Sequence, residues 1–355
     1  MNIENIKATV PALFSWYELH ARSLPWRIDP TPYRIWISEI MLQQTRIDAV
    51  IPHYRAFLER MPDVTALAQI SEEELLKYWE GLGYYSRARN LQKAAKIVLE
   101  SGQKDLPQTY AELIKLPGIG EYTAGAIASI AFGESVPAVD GNVMRVLARL
   151  TGCNIDVLSP HGKKHFTQLA QQLIPENAAG QFNQAVMELG ETICLPNTTP
   201  KCEKCPFSEI CVARREGKTD QLPVRQKLKA RKLQPLTVFV LRTLDENPRF
   251  LLHKRDNRGL LAGLYEFPNT EGFLSDEEAN AWLSRLGIHT EEIHELPDSK
   301  HIFTHIEWHM HGYTAKTKEA PPPKGFIWVT AAEIKKHYAV PTAFNAFLQF
   351  IYRNF

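Results

Sequence analysis

The stretch Leu116–Ile127, which reads LPGIGEYTAGAI, decides how the first half of the chain is organised. Gly118 and Gly120 flank an isoleucine directly before a run of small and apolar residues. Glycine allows backbone angles that are closed to other residues, and it leaves no side chain between the backbone and a partner. The following helix would direct free N–H groups and its positive dipole end at the turn, which suits a phosphate. A helix–turn–helix corner built of small residues is the other interpretation.

A carboxylate follows this stretch at the start of another helix. Asp140 lies in the sequence VDGNV, residues 139–143, before a segment with apolar residues at helical spacing. The pattern predicts that Asp140 is an N-cap. An N-cap side chain has a fixed rotamer, and the dipole and amides around it favour the ionised form. Asp140 is therefore also a candidate site residue, because its carboxylate would be oriented before any substrate binds.

The N-terminal part is predicted to be helical. Residues 6–23 have the spacing of an amphipathic helix, residues 24–27 are expected to be extended, and residues 33–52 are expected to form one strong helix. Within this last helix, Glu39 interrupts a surface of apolar residues. Considered alone, a glutamate in such a position is usually a solvated helix carboxylate.

The segment Gly81–Asn90 combines glycine, aromatic and basic residues. Glycines bracket Leu82, and two tyrosines, including Tyr84, precede two arginines. One interpretation is a helix end whose aromatic residues pack in the core. The other is a loop that inserts into a base stack, with the arginines near phosphates.

Four of the five cysteines fall within 18 residues. Their spacing is C-x7-C-x2-C-x5-C, and they are Cys194, Cys202, Cys205 and Cys211. Such a cluster in a cytoplasmic chain favours a metal site over a disulfide framework. The spacing suits either a tetrahedral zinc ion or a 4Fe-4S cluster. Cys153 lies outside the pattern and is expected to be an ordinary buried thiol.

Whole-chain properties limit the class of protein. A length of 355 residues is sufficient for two or three domains, and 44% hydrophobic with 23% charged residues is ordinary for a globular protein. The formal net charge of +1 does not indicate a nucleic-acid binder. No apolar run approaches the roughly 20 residues that span a membrane, and the N-terminus lacks a signal-peptide pattern. We therefore expect a cytoplasmic protein.

The composition changes after residue 213. Residues 214–235 lack apolar periodicity and are predicted to link two domains, either as a solvated connector or as a basic strap on a phosphate backbone. The basic residues of this linker are Arg214, Arg215, Lys218, Arg225, Lys227, Lys229, Arg231 and Lys232. Beyond it, strand-like runs cover 236–241, 249–253, 306–311 and 326–329, and helices are predicted over 276–286 and 342–352. This mixture predicts an α+β domain.

These motifs together resemble a known family. Ser38–Thr45 reads SEIMLQQT, and with the LPGIG turn and the VDGNV aspartate it resembles the adenine DNA glycosylases of the MutY type, whose helix-hairpin-helix core is named HhH-GPD. The resemblance implies a mainly α part over residues 1–213, comprising the glycosylase core and an iron–sulfur cluster loop at 194–211. The linker and an α+β Nudix-like domain over 236–355 would follow. Gly259–Pro268 resembles the entry to a Nudix fold, but the acidic Arg-Glu-x-x-Glu-Glu helix is missing, so Nudix hydrolase activity is not expected.

The resemblance also implies roles for individual residues. Glu39 would be the catalytic acid, Asp140 would stabilise or capture a cationic sugar, and Tyr122 and Asn142 would line the site. Tyr122 stands where the endonuclease III branch has a Schiff-base lysine, and a phenol cannot form an imine. The residues implied to contact DNA or the lesion are Gln44, Leu82, Tyr84, Gly118, Gly120, Phe303, Thr304 and His305. The last three match a Phe-Ser-His hairpin, with a threonine that keeps the hydroxyl of the serine.

The cofactor implied by the resemblance is a 4Fe-4S cluster on Cys194, Cys202, Cys205 and Cys211. The usual first gap in the family is six residues, whereas Leu195–Lys201 makes it seven here. The extra residue is expected to be absorbed by the loop.

We therefore predict a DNA repair enzyme that excises adenine mispaired with 8-oxoguanine, or with guanine, from double-stranded DNA. It is expected to act as a monomer in the bacterial cytoplasm, associated with the nucleoid through DNA. Two alternatives stay open. One is a bifunctional glycosylase and lyase of the endonuclease III type, and the other is a non-catalytic lesion binder.

Overall fold

The chain divides into two compact units in a computed structural model that describes residues 3–226, 230–318 and 321–355. The first unit is Met1–Gln69 with Asn90–Lys227, and the second is Ile70–Arg89 with Leu228–Phe355. Lys227 and Lys229 of the predicted basic linker lie outside the described residues. Within the described ranges, no helix is both long and apolar enough to cross a membrane.

The helical elements dominate the first part of the chain, and among the described residues every strand lies between Lys232 and Thr330. The helices are α1 (Ile3–His20), α2 (Pro25–Ile28), α3 (Pro32–Leu42), α4 (Ile47–Arg60), α5 (Val64–Gln69), α6 (Glu72–Tyr78), α7 (Ser86–Glu100), α8 (Tyr110–Leu113), α9 (Glu121–Phe132), α10 (Gly141–Thr151), α11 (Pro160–Leu173), α12 (Ala179–Thr192), α13 (Val212–Arg215), α14 (Asp276–Arg285), α15 (Ala331–His337) and α16 (Asn345–Asn354). The strands are β1 (Lys232–Thr243), β2 (Arg249–Lys254), β3 (Tyr265–Glu266), β4 (Asn269–Glu271), β5 (Thr290–Ile302), β6 (Ile306–Thr317) and β7 (Phe326–Thr330). The predicted fold class, a helical part followed by an α+β domain, is confirmed.

Two local predictions for the N-terminal part were wrong. The single helix expected over 33–52 is broken into α3 and α4, and Gln44 in the break has a φ of 57°. A left-handed residue cannot continue a right-handed helix, so the chain turns there. The extended element expected at residues 24–27 is instead the short helix α2, which begins at Pro25, a residue whose fixed φ suits a first helical position.

The special backbone angle predicted for the LPGIG turn is confirmed at Gly118 but not at Gly120, whose φ of −91° is extended backbone that any residue can adopt. Gly118 has a φ of 79°, and a Cβ added there would lie 2.7 Å from the Cβ of Asn90. Both the backbone angle and the space therefore require glycine. Gly120 is the N-cap of α9, whose residues from Thr123 to Ser129 are all buried. Gly125 lets the backbone of Pro137 approach, since an added Cβ would lie 2.1 Å from its carbonyl oxygen.

One hydrophobic core joins the first helix of the chain to the helices that follow the hairpin. Leu13 of α1, Leu147 of α10, Phe166 of α11 and Phe182 of α12 are at most 2% exposed in this cluster. Apolar residues at helical spacing on each of these helices supply the contacts. The core holds the start of α10, and therefore Asp140, in a fixed place relative to α12.

The second unit is built on a mixed sheet with strand order β3-β2-β1-β6-β5, with β4 paired to β1 and β7 paired to β2. β1 and β6 run parallel, with the register starting at Lys232 opposite Ile306. Alternate residues of β1 face two cores: Val238 packs with Phe347 of α16, and Phe239 packs with Leu283 of α14. The four strand-like runs predicted from sequence are confirmed by β1, β2, β6 and β7.

The segment Ile70–Arg89 belongs to the second unit and is fastened there by polar contacts. Lys77 Nζ donates to the carbonyl oxygens of Ile334 and Tyr338 at 3.0 and 3.1 Å. Glu80 Oε1 accepts from the backbone N–H of Val340 at 2.8 Å. The segment that carries Leu82 and Tyr84 is thus positioned by the end of the chain, which local sequence could not predict.

Candidate active site

One cavity in the first unit collects the four predicted catalytic residues. Its volume is about 1040 Å³, and Glu39, Tyr122, Asp140 and Asn142 all line it. Gln44, Gly118 and Gly120, which were predicted to contact DNA, line it as well. The predicted residues come from the end of α3, the glycine turn with the start of α9, and the start of α10, and α12 and α2 add to the wall.

Glu39 is buried on the apolar face of α3, with 7% of its surface exposed. Tyr122 donates its hydroxyl proton to Glu39 Oε2 at 2.6 Å. Burial raises the pKa of Glu39 to about 7; the Tyr122 bond acts in the opposite direction, and the negative charge of Asp140 adds to the rise. A carboxyl of this kind holds a proton near neutral pH and can deliver it to a base.

Tyr122 acts on Glu39 as a permanent hydrogen-bond donor. Burial and the neighbouring carboxylates raise its pKa well above the ordinary value. The phenol therefore stays protonated at any physiological pH, and its oxygen also lies 3.7 Å from the sulfur of Met187. Tyr122 can orient Glu39, but it cannot serve as a base.

Asp140 is the N-cap that the sequence predicted, and both of its carboxylate oxygens are occupied. Oδ1 accepts from the backbone N–H of Val143 at 2.8 Å, and Oδ2 accepts from Asn142 Nδ2 at 2.8 Å. Burial raises the pKa of Asp140, and these bonds lower it. The sequence indicated only the influences that favour ionisation of Asp140, whereas burial opposes them and has the larger effect on its pKa. Asn142 also donates to Glu191 Oε1 at 2.7 Å.

A buried ion network on the wall of the cavity was missed by sequence reasoning. The side chain of Glu188 is 0% exposed and accepts from Arg22 at 2.6 and 2.9 Å and from Arg27 at 2.9 Å. Burial alone would raise the pKa of Glu188, but the bonds and charges of the two arginines outweigh it and lower the pKa. Trp26 lies beside this network on the cavity wall. Arg22 and Glu188 are 166 residues apart, so the sequence did not predict that they pair. Its only signal was a charged residue, Glu188, among the apolar residues of a helix.

The four clustered cysteines are free thiols, and Cys194, Cys205 and Cys211 pack against the first core. Arg149 Nη1 donates to Cys194 Sγ at 3.3 Å, and Cys211 Sγ donates to the carbonyl oxygen of Arg149 at 3.5 Å. Burial raises the pKa of Cys205 to about 12, and the charges of the other three cysteines add to the rise. Across residues 3–226, 230–318 and 321–355, no group of three or more His, Cys, Asp or Glu side chains is arranged to hold a metal ion.

The remaining predicted contact residues lie in the second unit. Phe303, Thr304 and His305 form the turn between β5 and β6, with Thr304 and His305 exposed. The hydroxyls of Tyr84 and Thr304 are hydrogen-bonded at 2.8 Å, and Tyr84 is 47% exposed with a φ of 45°. Leu82, by contrast, is only 5% exposed, and its carbonyl oxygen accepts from Arg87 at 2.8 Å. The structure therefore brings Tyr84 to the turn formed by residues 303–305 and leaves the Leu82 side chain in the interior.

Comparison with known proteins agrees with this architecture. Residues 37–176 match the family model described as HhH-GPD superfamily base excision DNA repair protein, and residues 237–350 match the NUDIX domain model. A thermostable thymine-DNA glycosylase of known structure is 29% identical, with a TM-score of 0.55 over 60% of this chain and 98% of that chain.

Curated relatives extend the similarity to almost the whole chain. The human adenine DNA glycosylase is 34% identical over 94% of this chain and 72% of its own length. That of Buchnera aphidicola subsp. Schizaphis graminum is 35% identical over 84% of each chain. The helical core, the domain with a Nudix-like fold and these relatives agree, and the chain belongs to the adenine DNA glycosylase family of base excision repair enzymes.

Proposed function

We propose that the enzyme removes adenine mispaired with 8-oxoguanine, and with guanine, by hydrolysing the N-glycosidic bond without cutting the strand. The observation that carries the proposal is the cavity lined by two carboxyl groups, Glu39, whose pKa burial raises to about 7, and Asp140. Two carboxyl groups with different environments are what acid-assisted glycoside hydrolysis requires.

The first step is proton delivery to the base. Adenine must leave the duplex before its glycosidic bond can be reached, and the cavity is large enough to receive a flipped nucleotide. Glu39 then gives its proton to a ring nitrogen, which makes adenine a better leaving group. Tyr122, held at 2.6 Å, fixes the rotamer of Glu39 through this step.

The second step is stabilisation of the sugar. Loss of adenine leaves an oxocarbenium ion, and Asp140 stabilises it or captures it covalently, as the second carboxylate does in retaining glycosidases. The bond from Asn142 keeps Asp140 aimed at the cavity. Glu39, now ionised, accepts a proton from the attacking water and is ready for the next turnover.

The Glu188 network supports the base pocket in this proposal. The Glu188 side chain is fully buried and both of its oxygens already accept from arginines, so it does not contact the flipped base. Arg22 and Arg27, which also line the cavity, are held in place by this carboxylate and can donate to ring nitrogens of the base.

DNA and the opposing lesion are assigned to the remaining predicted residues. Gly118, Gly120 and the start of α9 offer backbone N–H groups to phosphates. Gln44 and Tyr84, both exposed, would enter the base stack, with Leu82 supporting the Tyr84 loop from the interior. Phe303, Thr304 and His305 would read 8-oxoguanine, whose N7–H can donate to the Thr304 hydroxyl where guanine has only an acceptor.

The cysteine loop would hold a 4Fe-4S cluster through Cys194, Cys202, Cys205 and Cys211. The four side chains fit this group chemically, because all four thiols are free, three of them pack against the first core, and Cys194 already accepts from the Arg149 guanidinium. When bound, the cluster supplies a covalent staple for the loop rather than bond chemistry on the sugar.

Gel analysis of a labelled duplex with one adenine opposite 8-oxoguanine, run with and without alkali, tests the reaction type. Strand cleavage that requires alkali is expected, since base release alone leaves an abasic site. Cleavage without alkali would indicate a bifunctional glycosylase and lyase of the endonuclease III type. Lys163, a primary amine on the cavity wall, would then be the candidate for imine formation. Tight binding with no base release would favour the non-catalytic binder.

A further inference from the structure

Two consecutive residues at the end of the basic linker hold the turn that carries Thr304. Arg231 Nε donates to the carbonyl oxygen of Phe303 at 3.1 Å. The backbone N–H of Lys232 donates to the carbonyl oxygen of His305 at 2.9 Å. These two carbonyls lie on either side of Thr304 along the chain, so the linker restrains both ends of the segment that presents its hydroxyl.

The other side of the turn is anchored by the domain core. The backbone N–H of Phe303 donates to the carbonyl oxygen of Ile306 at 2.8 Å and closes the turn. The Phe303 ring packs edge-on against Trp308 and His301, with ring centroids 4.8 and 4.6 Å apart. Trp308 is buried and donates its indole N–H to Gln234 at 3.0 Å. Phe303 therefore serves as an anchor, while Thr304 and His305 remain exposed.

The register of the sheet explains why a side chain is needed. The parallel pairing of β1 with β6 begins at Lys232 opposite Ile306, so the backbone ladder does not include Arg231. The guanidinium of Arg231 extends the restraint one residue beyond the ladder, to the peptide that joins Phe303 to Thr304. The Lys232 bond is made by the backbone and persists in any side-chain variant, whereas the Arg231 bond can be removed by mutation.

We propose that Arg231 is a positioning residue for lesion discrimination, which rests on the proposed role of the Phe303–Ile306 turn as the reader of 8-oxoguanine. Guanine and 8-oxoguanine differ at N7 and C8, so a reader must distinguish them through very few hydrogen bonds. The strength of a hydrogen bond falls steeply as its angle worsens. Rotation of the peptide before Thr304 would therefore weaken recognition of the lesion and leave general DNA affinity in place.

The test compares single-turnover rates of base release on two duplexes, with adenine opposite 8-oxoguanine and opposite guanine. Arg231→Met removes the donor and keeps the length of the side chain. It should lower the ratio of the two rates about fivefold, the effect of one hydrogen bond. The rate opposite guanine should stay within about twofold of the wild type. Arg225→Met, which removes one charge from the same linker, is the matched control and should leave the ratio unchanged.

Two further variants separate positioning from charge. Arg231→Lys keeps the positive charge without the planar fork, so it should restore the salt dependence of DNA binding but only part of the ratio. An Arg231→Met ratio equal to that of Arg225→Met would overturn the inference, because the effect would then follow the loss of charge alone. Thr304→Val reports on the reader itself. If the wild type shows no preference, or Thr304→Val keeps it, the proposed role of the turn fails, and this outcome is distinct from failure of Arg231 alone. Thermal unfolding midpoints confirm that each variant is folded.

Discussion

The hydroxyl of Tyr122 lies 2.6 Å from Oε2 of Glu39, across two elements that are 83 residues apart in the chain. Its bond lowers the pKa of Glu39, against the burial that raises it to about 7. Glu39 must be protonated to act as an acid, so activity should fall as the pH rises through this pKa. In Tyr122→Phe the pKa of Glu39 rises further, and the alkaline limb of the rate profile should move to higher pH. The maximal rate should fall about tenfold, because the acid is less well oriented.

Single-turnover rates from pH 5 to 9 measure this shift. Tyr110→Phe is a matched control, since Tyr110 lies outside the cavity lining and loses the same hydroxyl. A limb that moves to lower pH in Tyr122→Phe would contradict the assignment of Glu39 as the titrating acid.

Ionisation of the buried Glu39 should also lower the free energy of unfolding at alkaline pH. Its pKa in the folded protein is raised from 4.5 to about 7, so the folded state binds the proton more tightly than the unfolded chain. The resulting contribution is complete below pH 4.5 and is lost as the pH rises through 7. Glu39→Gln has no such dependence. Between pH 4 and pH 8, the free energy of unfolding of the wild type should therefore fall by up to about 3 kcal/mol relative to that of Glu39→Gln. Urea unfolding at the two pH values measures this change, and a difference that does not vary with pH would refute the raised pKa.

Loss of the Glu188 carboxylate should destabilise the first unit. Glu188→Gln leaves Arg22 and Arg27 without a buried counter-charge, which should lower the free energy of unfolding by about 3 kcal/mol at pH 7. The pKa of Glu188 is lowered in the fold, so its contribution is present above the ordinary glutamate pKa of 4.5 and is lost as the pH falls further. The deficit should therefore shrink on acidification. Glu216→Gln, which removes an exposed carboxylate, should leave the unfolding midpoint where it is.

Removal of one clustered cysteine should abolish cofactor binding. Cys202→Ser is expected to lose the visible absorbance and the iron, about four atoms per chain, that a 4Fe-4S protein carries. Cys153→Ser changes a thiol outside the cluster and should keep both. A wild-type protein purified without oxygen that contains zinc in place of iron would contradict the assignment.

Features encoded locally were accessible from the sequence, and those created by distant contacts were not. Asp140 as an N-cap and the glycine turn at Gly118 depend on a few neighbouring residues, and both were predicted. The break at Gln44 was missed because no glycine or proline marks it. The pairing of Glu188 on α12 with Arg22, which lies between α1 and α2, joins residues 166 positions apart in the chain. The attachment of residues 70–89 to the second unit likewise depends on carbonyls near residue 338.

Base release by Glu39→Gln on adenine opposite 8-oxoguanine tests the central claim most directly. Glutamine keeps the shape but has no proton to give, so the single-turnover rate should fall at least about 100-fold, while lesion-duplex binding stays within about threefold of the wild type. Glu18→Gln, an exposed carboxylate on α1, should retain full activity. If Glu39→Gln releases adenine at a rate near that of the wild type, Glu39 is not the catalytic acid and the proposed mechanism is wrong.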